Sequence, residues 1–324
     1  MRGARSSSPP YPGGVSIDPL IDPDAALIAR AAARPEVVAA VDAATAATAR
    51  LRFHEGLRRG WEEARAEAAV REAAALSILL GARTSVDDLR LLSLSDARGA
   101  DAQTVPVDPR EDPLADGEGG SSPSEGAGPA DRSRDPAEDL ALGLWRSQWG
   151  LASGFDPINT RAPVRRRPRP LPALTAAIHR DICSALIASG RLGREGVAVP
   201  ADPAAMARAA AYIRAPLPAV ACAGALVAHF RVREVFAPAS AGVGGALARW
   251  VLVTRGVDPT GVAAISAVDA LDPAAASRAL AGWVSADEEG VARWLVHVAG
   301  SVEYGAEVGR DIALRVQAGR LGSG

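Results

Sequence analysis

The chain contains no lysine, so arginine supplies every basic residue; the pattern reflects genome composition more than function. Aromatic residues make up only 4%, and alanine dominates the apolar set. Strands are built from β-branched and aromatic residues, whereas alanine is the best helix former, so this composition argues against a sheet-based fold. Two cysteines, Cys183 and Cys222, are too few for a disulfide framework or a zinc site. A reduced, cytoplasmic setting is therefore expected. Arg, Asp or Glu interrupts each apolar stretch well short of ~18 residues, so neither a transmembrane helix nor a membrane partner is expected. Residues 1–20 carry Pro and Gly where a secretory leader needs an apolar core. A net charge of −2 excludes a global electrostatic grip on nucleic acid. What remains is a chain of 324 residues, 48% hydrophobic and 23% charged, long enough for one large or two smaller globular domains.

The pattern along the chain is helical. Residues 1–20 read as a disordered tail, and an N-terminal helical segment over 21–97 is expected to pack on the rest. Within it Pro35 restarts an Ala-rich helix, since proline suits a first helical turn. Residues 61–80, WEEARAEAAVREAAALSILL, place glutamates early and lack Gly and Pro, and Gly81 follows as a natural stop. Ser85 and Asp88 have capping-box spacing and open a short helix to about Leu92. Residues 98–136 differ: they are dense in Pro, Gly, Ser and acid and poor in apolar residues. Such a stretch buries too little surface to offset its ordering entropy and reads as a disordered acidic linker.

A helical core is expected over 137–318, with residues 319–324 as a tail. Leu140, Leu144, Trp145 and Trp149 share one helical face. Residues 161–172 hold a basic cluster, Arg165, Arg166, Arg167 and Arg169, kept extended by proline. It reads as a solvated loop, with phosphate or the acidic linker as the functional alternatives. Helices follow over 174–189, 203–214, 218–235, 242–255 and 288–317. Residues 191–200 alternate around Val197 and Val199 and suit a short strand pair. Gly256 with Pro259 beyond is a strong helix stop. The expected architecture is an all-α orthogonal bundle with at most one small β-hairpin.

Few residues carry a chemical signal. His54, His179, His229 and His297 have no metal-ligand spacing, and His179 and His297 lie on apolar helices where packing is the expected role. No metal site is expected. Cys183 and Cys222 read as inert core, and Ser184 and Ser240 lack a base nearby in sequence. Trp250, Trp283 and Trp294 read as core fillers. The informative stretch is 234–259, EVFAPASAGVGGALARWVLVTRGVDP. A helix ends, a small-residue turn follows, and a second helix begins on glycine-rich backbone. Exposed amides at a helix start bind anions, and Gly242, Gly244 and Gly245 permit close approach of a phosphate. A tight interhelical turn explains the same glycines.

This arrangement resembles the Fic (Fido) family, in which His-Pro-Phe-x-(Asp/Glu)-Gly-Asn-Gly-(Lys/Arg)-x-x-Arg joins two helices of an all-α core. A register anchored on Gly256–Pro259 sets Phe236 on the motif Phe, Glu234 on the catalytic His and Val235 on the Pro. Pro238 falls on the acidic metal ligand, and Ala239, Ser240 and Ala241 on Gly-Asn-Gly. Gly242 and Gly245 fall on the two basic residues. A shifted register matches Pro238, Gly242 and Gly244 but sets Ala237 on the His. Residues 171–199 look like the family's core-opening helix and flap, and 275–313 like its C-terminal part. Many Fic proteins carry an inhibitory helix reading Ser-x-x-x-Glu-Gly or similar. Ser77, Leu80 and Gly81 resemble it, with Leu80 at the inhibitory Glu.

The resemblance implies a catalytically inactive Fic-fold protein that acts by binding or scaffolding an unknown protein partner, with no cofactor. In the family the His takes a proton from a target hydroxyl, which attacks the α-phosphate of ATP while the acid holds Mg²⁺. An active nucleotide or phosphoryl transferase with a remodelled 234–245 turn, using ATP and Mg²⁺, is the alternative. In that case Glu234 is the base and Ser240, Gly242, Gly244 and Gly245 bind the nucleotide. A helical protein with only coincidental likeness is the third reading.

Overall fold

The computed structural model describes residues 22–102 (side chains to 96), 134–159 and 169–321. Among these residues every regular element is helical. The expectations for 1–20, for Arg165–Arg167 and for most of the acidic linker lie outside the described residues.

The chain opens with α1 (Ala25–Ala32), α2 (Pro35–Arg52), a 3-10 turn (Glu55–Leu57), α3 (Trp61–Leu79) and α4 (Val86–Ala102). It continues with α5 (Pro136–Ser153), α6 (Leu171–Ala188), α7 (Pro203–Arg214), α8 (Ala219–Val232) and α9 (Ser240–Thr254). The last elements are α10 (Ala267–Leu271), α11 (Pro273–Val284) and α12 (Glu288–Gln317). Three helices, α5, α7 and α11, start on Asp-Pro. Asp135, Asp202 and Asp272 each accept a hydrogen bond from an early helical amide, and the following proline stands where no amide partner is needed. Asp135 and Glu138 complete a capping box.

Helices α8 and α9 form the centre. Both are apolar on nearly every face, and such a helix must be enclosed. Around them pack α3, α5, α6 and α12. Helix α12 also holds α1, α2, α10 and α11. Trp283 and Trp294 fill the interior as expected, whereas Trp250 is half-buried and Trp149, on the face shared with Leu140 and Leu144, is 42% exposed.

Several expectations are corrected. Residues 191–199 form successive turns and no hairpin. The Val197 amide donates to the Arg194 carbonyl and the Val199 amide to Gly196, which are turn bonds. Gly190, Gly196 and Ala198 have φ of 73°, 77° and 66°, which breaks the extended backbone a strand requires. Helix α4 runs to Ala102, ten residues past the expected stop, so the linker cannot begin at 98. Tertiary anchoring extends it: Arg90 pairs with Glu67 of α3, and Arg146 of α5 donates from Nε to Asp96 at 3.0 Å. At the other end Asp135 and Pro136 already belong to α5. Helix α6, at 18 residues, is the one described helix long and apolar enough to cross a membrane, despite Arg180 and Asp181 within it. One face of it is buried against α5 and α9.

The α5–α6 contact is made backbone to backbone. A Cβ on Gly143 would overlap the Ile182 carbonyl, leaving no flexible side chain to move aside. Gly143→Ala is therefore expected to destabilise the fold by at least ~1–3 kcal/mol, the usual cost of overpacking. Urea unfolding should show the midpoint falling with the slope unchanged.

Candidate functional site

Helix α8 ends at Val232, and residues 233–239 turn the chain into α9. The turn contains a cis peptide bond between Ala237 and Pro238, and Ala239 enters α9 at φ 67°. Val235 and Phe236 point inward and are buried. Glu234 lies outward and exposed. Ser240 is committed to holding the turn: its hydroxyl donates to the Arg233 carbonyl at 2.9 Å and accepts from the Val235 amide at 3.1 Å. The Val235 carbonyl accepts from Ala201 at 2.9 Å, tying the 191–201 loop to the turn.

Gly242, Gly244 and Gly245, the residues expected to admit a phosphate, are closely covered by side chains. A Cβ on Gly242 would lie 2.8 Å from Leu144 Cδ2, 3.3 Å from Ile182 Cδ1 and 3.8 Å from Leu80 Cδ1. One on Gly244 would overlap Cβ of Phe230, and one on Gly245 would meet Leu76 Cδ2 at 3.0 Å. These glycines let α9 close on α8, α5, α6 and α3, and side chains already fill the space above them.

The end of α3 comes to the same place. Ser77 is buried, donates to the Ala74 carbonyl at 2.8 Å and accepts from the Thr84 amide at 3.3 Å. Leu80 caps α3 half-buried, with its side chain over Gly242, and Gly81 follows at φ 82°, the left-handed stop its position predicts.

The remaining candidates are dispersed and engaged elsewhere. Arg231 pairs with Asp269 of α10 at 2.6 Å, and Arg233 pairs with Asp22 at 3.1 Å. His297 stacks on Trp294, in keeping with the packing its apolar helix suggested, and its Nε2 also lies 2.8 Å from the other Asp269 oxygen. Burial opposes the charge on Asp269, but His297 and Arg231 outweigh it and hold the carboxyl below its ordinary value. His229 Nε2 bonds the Ala205 carbonyl at 2.8 Å, and His54 Nδ1 accepts from Gly56 at 3.1 Å. Arg169 stands exposed before α6. Among the described residues no three His, Cys, Asp or Glu converge to hold a metal. An open groove of about 820 Å³ lies between the 3-10 turn, the start of α3 and the end of α12, and no residue of the 234–245 turn lines it.

One residue of this region carries more than its sequence signal conveyed. His179 of α6 reaches the turn: its Nε2 lies 3.1 Å from the Pro238 carbonyl and its ring 4.8 Å from that of Phe236. Cys183, one helical turn on, sets its sulfur 3.3 Å from the same nitrogen. The i, i+4 spacing on one apolar helix was the available sign. Burial pushes the Cys183 thiol up to about 11, which keeps it protonated near neutral pH. No protein-family description matches the chain, and no curated protein matches it in sequence.

Gly244 and Gly245 predict different responses. Gly244→Ala drives a methyl into the root of Phe230, which cannot swing away, and should cost ~1–3 kcal/mol. Gly245→Ala meets only the tip of Leu76, and a helix-propensity gain of up to ~1 kcal/mol offsets the contact. Thermal melts of the two variants side by side should show the first clearly below the second.

Proposed function

We propose that this protein acts by binding a protein partner, on a Fic-like helical core whose nucleotide site has been filled. The observation that carries this reading is the first turn of α9. In the register anchored on Gly256–Pro259, the family's two phosphate-holding basic residues fall on Gly242 and Gly245. The space over these positions belongs to Leu144, Ile182 and Leu76. A site for phosphoryl chemistry supplies cations and donors around the phosphates, and here it supplies hydrocarbon.

Three further features support the register. Ala239, aligned with the first glycine of Gly-Asn-Gly, has the left-handed backbone that glycine adopts without penalty. Phe236, aligned with the motif Phe, is 1% exposed. Leu80, aligned with the inhibitory Glu, packs over Gly242, where a basic residue would stand in the family. A glutamate there has no cation to meet, and leucine fills the gap instead.

Loss of a general base alone costs about 10²–10⁴-fold. Here the base, the metal carboxylate and both cations are replaced together. Isothermal titration with ATP and Mg²⁺ should show no binding heat, and labelled ATP should transfer no AMP to any protein. Glu234→His should not restore transfer, since a base cannot act on a nucleotide that is not held. Mg²⁺-dependent labelling by the wild-type chain would overturn this reading in favour of a transferase with a remodelled site, with Glu234 the first residue to test.

A further inference from the structure

His179 is bonded through both ring nitrogens to two segments far apart in sequence. Its Nδ1 accepts from the Ala198 amide at 2.9 Å, and its Nε2 faces the Pro238 carbonyl at 3.1 Å. A backbone amide only donates and a carbonyl only accepts, so the partners fix the tautomer: Nδ1 is bare and Nε2 carries the hydrogen. Ala198 sits at φ 66°, a conformation disfavoured for any residue with a Cβ, and the bond to His179 helps hold it there.

We propose that His179 is a pH-operated latch that, when neutral, clasps the 191–201 loop to the 236–240 turn and, when protonated, releases the loop. A proton on Nδ1 sets one N–H against another at Ala198, and the acceptor that held the loop is lost. The buried imidazolium would also lack a counter-charge. On its own helix the contacting titratable group is Cys183, a neutral thiol, and Arg180 is exposed. On α5, Asp139 is paired with Arg134 and with Arg191 of the loop, and Arg146 is paired with Asp96. On α9, Arg249 is spent on Gln148 and the Gly261 carbonyl. Arg194 and Glu195 in the loop, and Glu234 in the turn, are exposed.

Burial holds His179 below the ordinary imidazole value of 6.5, against an opposing pull from the Pro238 bond. The sign follows. The clasp contributes fully above about pH 6.5, where both folded and unfolded imidazole are neutral, and is lost as pH falls through the depressed folded value. The bond from Ala201 to the Val235 carbonyl involves no titrating group, so the loop opens about that point. Opening frees the half-buried Val197 beside Val199, which is already 59% exposed. The latch is independent of whether the turn ever meets a nucleotide.

The test is native-state hydrogen exchange on the full chain, read as protection factors to remove the intrinsic pH dependence. Between about pH 8 and about pH 5 the Ala198 amide should lose protection by about tenfold or more, while amides inside α9 keep theirs. Nitrogen-15 NMR of the imidazole should report the Nε2–H tautomer at the upper pH and titration of His179 in step with the Ala198 loss. His179→Gln should abolish the pH dependence at Ala198, and His179→Phe should leave that amide unprotected throughout. Ala198 protection that does not follow His179 titration, or a His179 that stays neutral until the whole chain unfolds in acid, would overturn the proposal.

Discussion

Helix α9 has to pass through the middle of the molecule with hardly any surface of its own. From Gly242 to Leu252 all its residues but the half-buried Trp250 are buried, and the helices around it can close on it only where its side chains are absent or small. Gly244 takes Phe230 of α8, Gly245 takes Leu76 of α3, and Gly242 takes Leu144 of α5 and Ile182 of α6. Four helices thus converge on one glycine-rich turn. The same principle recurs at Gly143 against Ile182 and at Gly305, where α12 meets the backbone of Ala264. Close-packed interiors respond to single methyl groups, which makes these positions sensitive out of proportion to their size.

A buried helix needs a buried way out, and that exposes the second constraint. The segment after α9 crosses the interior without regular structure, with Val262, Ala263 and Ala264 almost fully covered. Its backbone groups cannot reach water and need partners from the protein. Charged side chains that are themselves buried provide them. Arg65 donates from Nε to the Thr260 carbonyl at 2.6 Å, and Arg249 donates to the Gly261 carbonyl at 2.5 Å. Asp258 accepts from the amides of Thr260 and Ala263 at 3.2 and 3.0 Å. Glu72 accepts from the amide and hydroxyl of Ser266 at 3.0 and 2.6 Å. Burial raises the Glu72 carboxyl above its ordinary value, so this network carries an electrostatic cost that its hydrogen bonds offset.

The two constraints meet in the region read as a functional site. Filling the space over Gly242 and Gly245 gives the fold its centre. The turn is architecture, because it positions four helices. The outward features of this region are exposed Glu234 and the 191–201 loop with Val199, while the buried His179 holds loop and turn together.

Much of the fold was legible in the sequence because its signals are local. Gly81 and Gly256 stop α3 and α9, Pro35 restarts the chain as α2, and α12 spans residues 288–317 as its periodicity predicts, whereas the Asp-Pro start of α5 was read into the linker. Helix propensity and capping act within a few residues and need no tertiary partner. The turn between α8 and α9 was legible for the same reason. Its content was not. Whether Gly242, Gly244 and Gly245 face an anion or a leucine depends on helices up to 169 residues away in the chain, and glycine suits both. The alternation around Val197 matched a strand, but Gly196 and Ala198 have positive φ and the Ala198 amide is bonded to His179, which sequence spacing does not reveal. By itself, then, the sequence determined which residues form helices and where they stop, while only tertiary packing decided what those helices enclose, since enclosure depends on contacts between segments that no local pattern encodes.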